Sequence, residues 1–260
     1  MARVTAVANV KGGVGKTSLV INLGHVLATV GQRVLLIDTD VQGAVGAWFG
    51  LSPKLSLSDV LEQRVEARAA ITTARPDLDV IASGQAALRR TIGTLLGLGP
   101  RRKVNPIFRR MDRVIAAVDA LYDTILIDCA PSLDFIMEAI YPTINDVLVP
   151  TSMTGPSIEN MELQLDTIQE MRDHGHHVRL NLIVPTLLRA NDAKQCAWLE
   201  QLQAQYGPVV SHAIHYEPLL EDQNVRQQTV LEVAPCSAAA HDYRLLAQRY
   251  LGREKELPRG

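Results

Sequence analysis

Cysteine is scarce in this 260-residue chain. Cys129, Cys196 and Cys236 are widely spaced and form no C-x-x-C pair. That argues against a disulfide framework or a zinc site and suits a reducing compartment. Neither sign of charge is in surplus: 26 Lys and Arg face 28 Asp and Glu, a formal net charge of −2. A globally basic nucleic-acid binder is therefore excluded, and any contact with DNA must come from a local patch. No apolar run approaches the roughly 20 residues of a transmembrane helix. Arg3 and Thr5 interrupt the N-terminal stretch that a signal peptide would keep apolar, so the cytosol is the expected compartment. Internal repeats and low-complexity linkers are lacking too. What is present is a large apolar fraction, 47%, with mean hydropathy near zero. That composition fits a globular protein with a sizeable core.

Apolar, β-branched runs recur at residues 4–10, 34–37, 78–81, 125–127, 147–150, 180–184 and 209–214, with helix-like stretches between them. Continuous apolar strands alternating with helices predict a doubly wound α/β fold, a mostly parallel sheet with helices on both faces. A single domain over residues 1–252 is expected, followed by a polar tail at 253–260. Residues 96–106, with Gly97, Gly99, Pro100 and Pro106 around Arg101, Arg102 and Lys103, read as a surface loop. In such sheets ligands bind at the carboxyl ends of the strands.

One such end carries Lys11-Gly12-Gly13-Val14-Gly15-Lys16-Thr17-Ser18, set between the first strand and a helix-like stretch at 19–30. Strand, glycine-rich loop and helix are the setting in which G-x-x-x-x-G-K-[ST] binds phosphate. The first position of that pattern, at Val10 or Lys11, is not glycine here, and Lys11 adds a second cation to the loop. Gly12, Gly13 and Gly15 let the backbone curl and aim N–H groups at an anion. The helix start adds unpaired N–H groups of its own. Lys16 is expected on the β- and γ-phosphates of a nucleotide, the Thr17 hydroxyl on Mg²⁺, and Ser18 near the α-phosphate.

Two further strand ends carry acids: Asp38-Thr39-Asp40 after the second strand and Asp128 after residues 125–127. A Mg²⁺-nucleotide site needs a carboxylate near the metal, and an acid ending a neighbouring strand supplies it. Asp128 is the candidate, acting through a water. Asp40 is the candidate to orient an attacking water. Asp38 either meets the waters of the metal or fixes its own loop.

Together, Lys11 to Ser18, Asp38-x-Asp40-x-Gln42-Gly43, and residues 122–128 followed by Ala130-Pro131-Ser132 resemble the ParA/MinD group of deviant Walker A ATPases. Within that group they resemble the ParA/Soj type, which partitions plasmids and chromosomes. The similarity spans nearly the whole chain. It implies a slow, partner-stimulated ATPase that uses ATP and Mg²⁺. Lys16 would bind phosphates in its own subunit, and Lys11 would reach the partner's nucleotide in an ATP-bound homodimer. Asp40 would align the water, while Thr17 and Asp128 serve Mg²⁺. A lysine supplied in trans would stabilise charge on the transferring phosphoryl group as an arginine finger does. The resemblance further implies non-specific binding to double-stranded DNA, a ParB-like centromere-binding partner, and a cytoplasmic, nucleoid-associated location. The family's Ile-Pro-Arg segment near the base is replaced by Ile214-His215-Tyr216-Glu217-Pro218, so base contacts are expected from His215 and Glu217. No helix-turn-helix extension is expected, because the loop strand begins at once.

Candidate DNA-phosphate contacts are Arg101, Arg102, Lys103, Arg109, Arg110, Arg113 and, later, Arg189. Arg109 and Arg113 fall one turn apart on a helix expected over 105–120. Two other functions compete. A MinD-like membrane- or cargo-positioning ATPase would use the amphipathic segment 243–251, which reads better as a packed terminal helix, so no stable membrane association is expected. A metabolic P-loop enzyme would need a substrate-pocket motif, and none is evident. His174, His176 and His177 lack metal-ligand spacing, and Trp48 and Phe49 read as core.

Overall fold

The computed structural model describes residues 1–97, 106–131, 140–220 and 227–252. Its strands are β1 (Arg3–Val7), β2 (Val34–Asp38), β3 (Thr72–Arg75), β4 (Leu78–Ile81), β5 (Thr124–Asp128), β6 (Asp146–Ser152) and β7 (Arg179–Thr186). They form one seven-stranded sheet in the order β3-β4-β2-β5-β1-β6-β7, parallel except for the β3–β4 pair. Side chains alternate between two cores. Val4, Ala6, Leu35, Ile37, Ile125, Ile127, Val147 and Val149 enter one; Val7, Leu36, Leu126 and Leu148 enter the other. Burial on both faces explains why these strands read as unbroken apolar runs.

The helices are α1 (Lys16–Thr29), α2 (Ala44–Trp48), α3 (Leu57–Leu61), α4 (Ala86–Gly97), α5 (Pro106–Val118), α6 (Gly155–Asp173), α7 (Ala193–Tyr206), α8 (Val230–Val233) and α9 (Ala238–Tyr250). α1 and α9 cover one face, with Leu19, Leu23, Tyr243, Leu246 and Tyr250 buried. α5 covers the other through Met111, Val114, Ile115 and Val118. Gly24 lets α1 settle on β2, since a Cβ there would lie 2.7 Å from Leu36 Cδ2. The terminal helix α9 is packed, as its amphipathic pattern predicts. No helix among the described residues is long and apolar enough to cross a membrane.

Three elements differ from expectation. Residues 209–214 form no strand: a 3-10 turn, Gly207–Val209, precedes isolated bridges Ile183↔Val210 and Leu188↔His215. Pro208 lacks an N–H, and polar Ser211 and His212 interrupt the apolar run. β3 was not anticipated. It pairs with β4 through a turn at Pro76-Asp77, where Asp77 takes φ 57°, a conformation Asp tolerates better than most residues. At 96–106, Leu96 belongs to α4 and Pro106 opens α5, a position that suits proline. Residues 98–105 and the polar tail 253–260 lie outside the described residues.

The parallel register places the site. Val7 and Asp38 both pair with Asp128, so β1, β2 and β5 end level at one edge. The glycine loop and the acids meet there.

Candidate active site

The loop after β1 turns through Gly13 (φ 74°) and Gly15 (φ 81°), left-handed conformations that favour glycine. Gly15 caps α1 without a side-chain hydrogen bond, and the first N–H groups of a helix have no partner within it. Two anchors hold the loop in place. Asn9 Nδ2 donates to Pro150 O (2.8 Å) while its Oδ1 accepts the Lys11 N–H (2.9 Å). The Thr186 hydroxyl donates to Val14 O (2.8 Å). Lys16 is buried, and its Nζ donates to Lys11 O at 2.8 Å. Burial lowers its pKa, opposed chiefly by the charge of Asp128. The Lys11 ammonium has no ion-pair partner among the described residues.

The acids divide the work. Asp128 accepts the Thr17 hydroxyl at 2.7 Å through Oδ2, while its buried Oδ1 has no partner among the described residues. Burial pushes its pKa up to about 7; the Thr17 hydrogen bond opposes the shift and the charge of Asp40 adds to it. Asp38 is fully buried and accepts the N–H groups of Asp40 (3.0 Å) and Val45 (3.1 Å). Its pKa is raised as well, by burial first and then by the charge of Asp128. Asp38 thus fixes the turn that presents Asp40. Thr39 adds a second tie, donating to Asp128 O through both its N–H (3.1 Å) and its hydroxyl (2.7 Å). Asp40 is half-buried, and its Oδ1 accepts the Gln42 N–H at 2.9 Å.

Beside the loop a cleft of about 480 Å³ runs from Gly15 and Ser18 past Thr186 to His215, Glu217 and Tyr243. Both expected base contacts therefore line it. Arg189 lines it too, with its guanidinium 3.9 Å from the centroid of the Tyr216 ring. Arg110 and Arg113 line a separate cleft of about 630 Å³, joined by Arg64 and Arg68. It sits on the α5 face of the sheet, where Arg110 donates to Leu61 O and Arg68 to Ala117 O. Arg101, Arg102 and Lys103 lie outside the described residues, as does the side chain of Arg109. No group of three or more His, Cys, Asp or Glu among the described residues forms a metal cage.

A mostly parallel sheet, a glycine loop opening a helix, and acids on the neighbouring strand ends define a P-loop nucleotide hydrolase. The AAA domain family matches residues 2–182. The chromosome partitioning protein ParA of Caulobacter vibrioides is 30% identical over 266 residues, covering 98% of this chain and 96% of that protein. This chain belongs to the ParA/MinD-type P-loop ATPases. Among solved structures, cobyrinic acid a,c-diamide synthase from Mycobacterium smegmatis, with a bound ATP analogue and magnesium, superimposes with TM-score 0.81. It is 26% identical, with 98% of this chain and 97% of that one covered. The cell division ATPase MinD of Pyrococcus furiosus has TM-score 0.78 at 19% identity over 97% and 99% of the two chains, a likeness of fold alone.

Proposed function

We propose that this chain is an ATP-dependent dimerisation switch for DNA partitioning, with slow ATPase activity stimulated by a ParB-like partner. The observation that carries the nucleotide part is the bare, buried Asp128 Oδ1 beside the Thr17 hydroxyl and the Lys16 ammonium. The raised proton affinities of Asp128 and Asp38 mark buried carboxylates short of cationic partners, and a divalent cation would supply one in place of the proton. Thr17 and Asp128 would hold Mg²⁺, which neutralises charge on the β- and γ-phosphates when bound. The unpaired N–H groups at the start of α1 bind the phosphates, and Lys16 turns to them from Lys11 O. Asp40 orients the water in line with the γ-phosphate. Lys11, half-exposed, reaches the nucleotide of a second copy.

The partitioning role draws on the similarity to ParA of Caulobacter vibrioides. Arg64, Arg68, Arg110 and Arg113 around one cleft support a sequence-independent contact with DNA phosphates, in the cytoplasm and on the nucleoid. A second reading, a metabolic P-loop enzyme, is favoured by the likeness to cobyrinic acid a,c-diamide synthase.

Three variants test the proposal by calorimetry, size-exclusion chromatography and phosphate release. Lys16→Ala should lose nucleotide binding, and Asp40→Ala should bind ATP and accumulate as a dimer. Lys11→Ala should bind ATP as a monomer and lose hydrolysis. A Lys11→Ala protein that hydrolyses at the wild-type rate would remove the trans-lysine role. DNA binding that is equal with ADP and ATP, or unaffected by salt, would remove the switch.

A further inference from the structure

The cleft beside the loop has few polar atoms left to read a ligand. The Thr186 hydroxyl is spent on Val14 O, and Gln195 Oε1 accepts the Arg189 N–H at 2.8 Å. Glu217 Oε1 accepts the Leu219 N–H at 3.3 Å. His215 is held most firmly. Its ring Nδ1 lies 2.7 Å from Asp242 Oδ2, and the same oxygen accepts the His215 backbone N–H at 2.9 Å. Asp242 is buried on α9, one residue before the core Tyr243. A carboxylate oxygen only accepts, so the hydrogen of the neutral ring sits on Nδ1. Nε2 is then an acceptor with no partner among the described residues, on a half-buried side chain that lines the cleft.

We propose that His215, its tautomer fixed by Asp242, selects adenine among the purines by accepting an N–H of its 6-amine at Nε2. The proposal rests on the nucleotide reading above. With phosphates on the loop at Gly15 and Ser18, the cleft that begins at those residues receives the sugar and base. Hypoxanthine and guanine carry a carbonyl at the ring position where adenine carries its amine, and a carbonyl facing Nε2 sets two acceptors against each other. Unsubstituted purine offers nothing there. An acceptor held in place to take a hydrogen bond disfavours the analogue that lacks the donor, because that bond is not made. Asp242 is a positioning residue: it never meets the base and acts by orienting the ring.

The test compares affinities of the full chain for ATP, inosine triphosphate and purine riboside triphosphate, with Mg²⁺, by calorimetry. The last differs from ATP only by loss of the amine. Wild type should prefer ATP over each by about three- to tenfold, the range of one neutral hydrogen bond. His215→Phe, which keeps a ring and removes the acceptor, should bind ATP and purine riboside triphosphate within about twofold of each other. Asp242→Ala should shrink the preference, and Asp242→Asn, which keeps an acceptor oxygen for Nδ1–H, should restore it. A wild-type ratio near one overturns the proposal without any variant having to fold. So does a wild-type ratio that survives in His215→Phe. Failure of the nucleotide reading looks different: wild type would then bind none of the three, and Lys16→Ala would change nothing.

Discussion

Two buried acids stand at opposite ends of their strands, Asp146 opening β6 and Asp128 closing β5, and their surroundings are opposites. Asp146 opens β6 at the edge away from the loop. Its Oδ2 accepts Arg3 Nε (3.1 Å), Arg3 NH2 (2.9 Å) and Arg179 NH2 (3.4 Å). Its Oδ1 accepts the Thr5 hydroxyl (3.0 Å) and Asn181 Nδ2 (3.3 Å). Arg3 in turn lies over the Tyr250 ring, so the cluster also fastens α9. Asp128, at the loop edge, is just as buried but has one hydroxyl partner and one bare oxygen. The first acid is complete and holds the fold together. The second is incomplete among the described residues, and burying it costs stability. Burial alone therefore does not mark a site; burial without compensation does.

The contrast can be broken from either side. Asp146→Ala should be the most damaging change, costing about 3 kcal/mol, because it takes the acceptor from the buried Thr5 hydroxyl and the half-buried Arg3 guanidinium. Chemical denaturation of the ligand-free protein checks it. Asp128→Asn should have the opposite sign there, stabilising the empty protein by about 1 kcal/mol, or ~2–4 °C in Tm, while abolishing ATP hydrolysis. If both substitutions destabilise the empty protein alike, the two ends do not differ as described.

The pH dependence follows from the same acids. Asp38 and Asp128 hold protons more tightly in the native state than in the unfolded chain. Between the ordinary carboxylate range and about pH 7 the native state binds more protons, so the stability of the empty protein falls as pH rises through that window. Asp128→Asn should flatten the fall, as a Tm series across the window would show. The smallest effect is expected at Thr186→Val, which removes the hydroxyl holding Val14 O. Stability should drop by about 1 kcal/mol and ATP affinity by about threefold, with the Asp146 cluster untouched.

Much of the loop edge was legible in the sequence, because its chemistry is written in consecutive residues. Lys11 to Ser18 and Asp38 to Asp40 each form one short run, and the apolar strands before them fix where they end. What holds those runs was not legible. Asn9 depends on Pro150, Val14 on Thr186 and His215 on Asp242, and each pairing exists only once the strands and α9 are in place. Single polar residues of that kind look like any other loop residue. Arg189 shows the same limit: the sequence groups it with the candidate DNA-phosphate contacts, and the turn after β7 sets it in the cleft beside the loop, over Tyr216. The β3–β4 hairpin escaped because Thr72 to Arg75 is only partly buried and carries little apolar signal.

One hydrogen bond at the loop has a consequence for timing. The Lys16 ammonium rests on the carbonyl of Lys11, so the lysine proposed to serve this subunit's own nucleotide is latched to the residue proposed to serve the neighbour's. A phosphate that draws Lys16 away also strips the Lys11 peptide of its donor and leaves that peptide free to turn. Occupancy in one copy and readiness to complete the other would then be a single event, with one peptide group as the escapement between them.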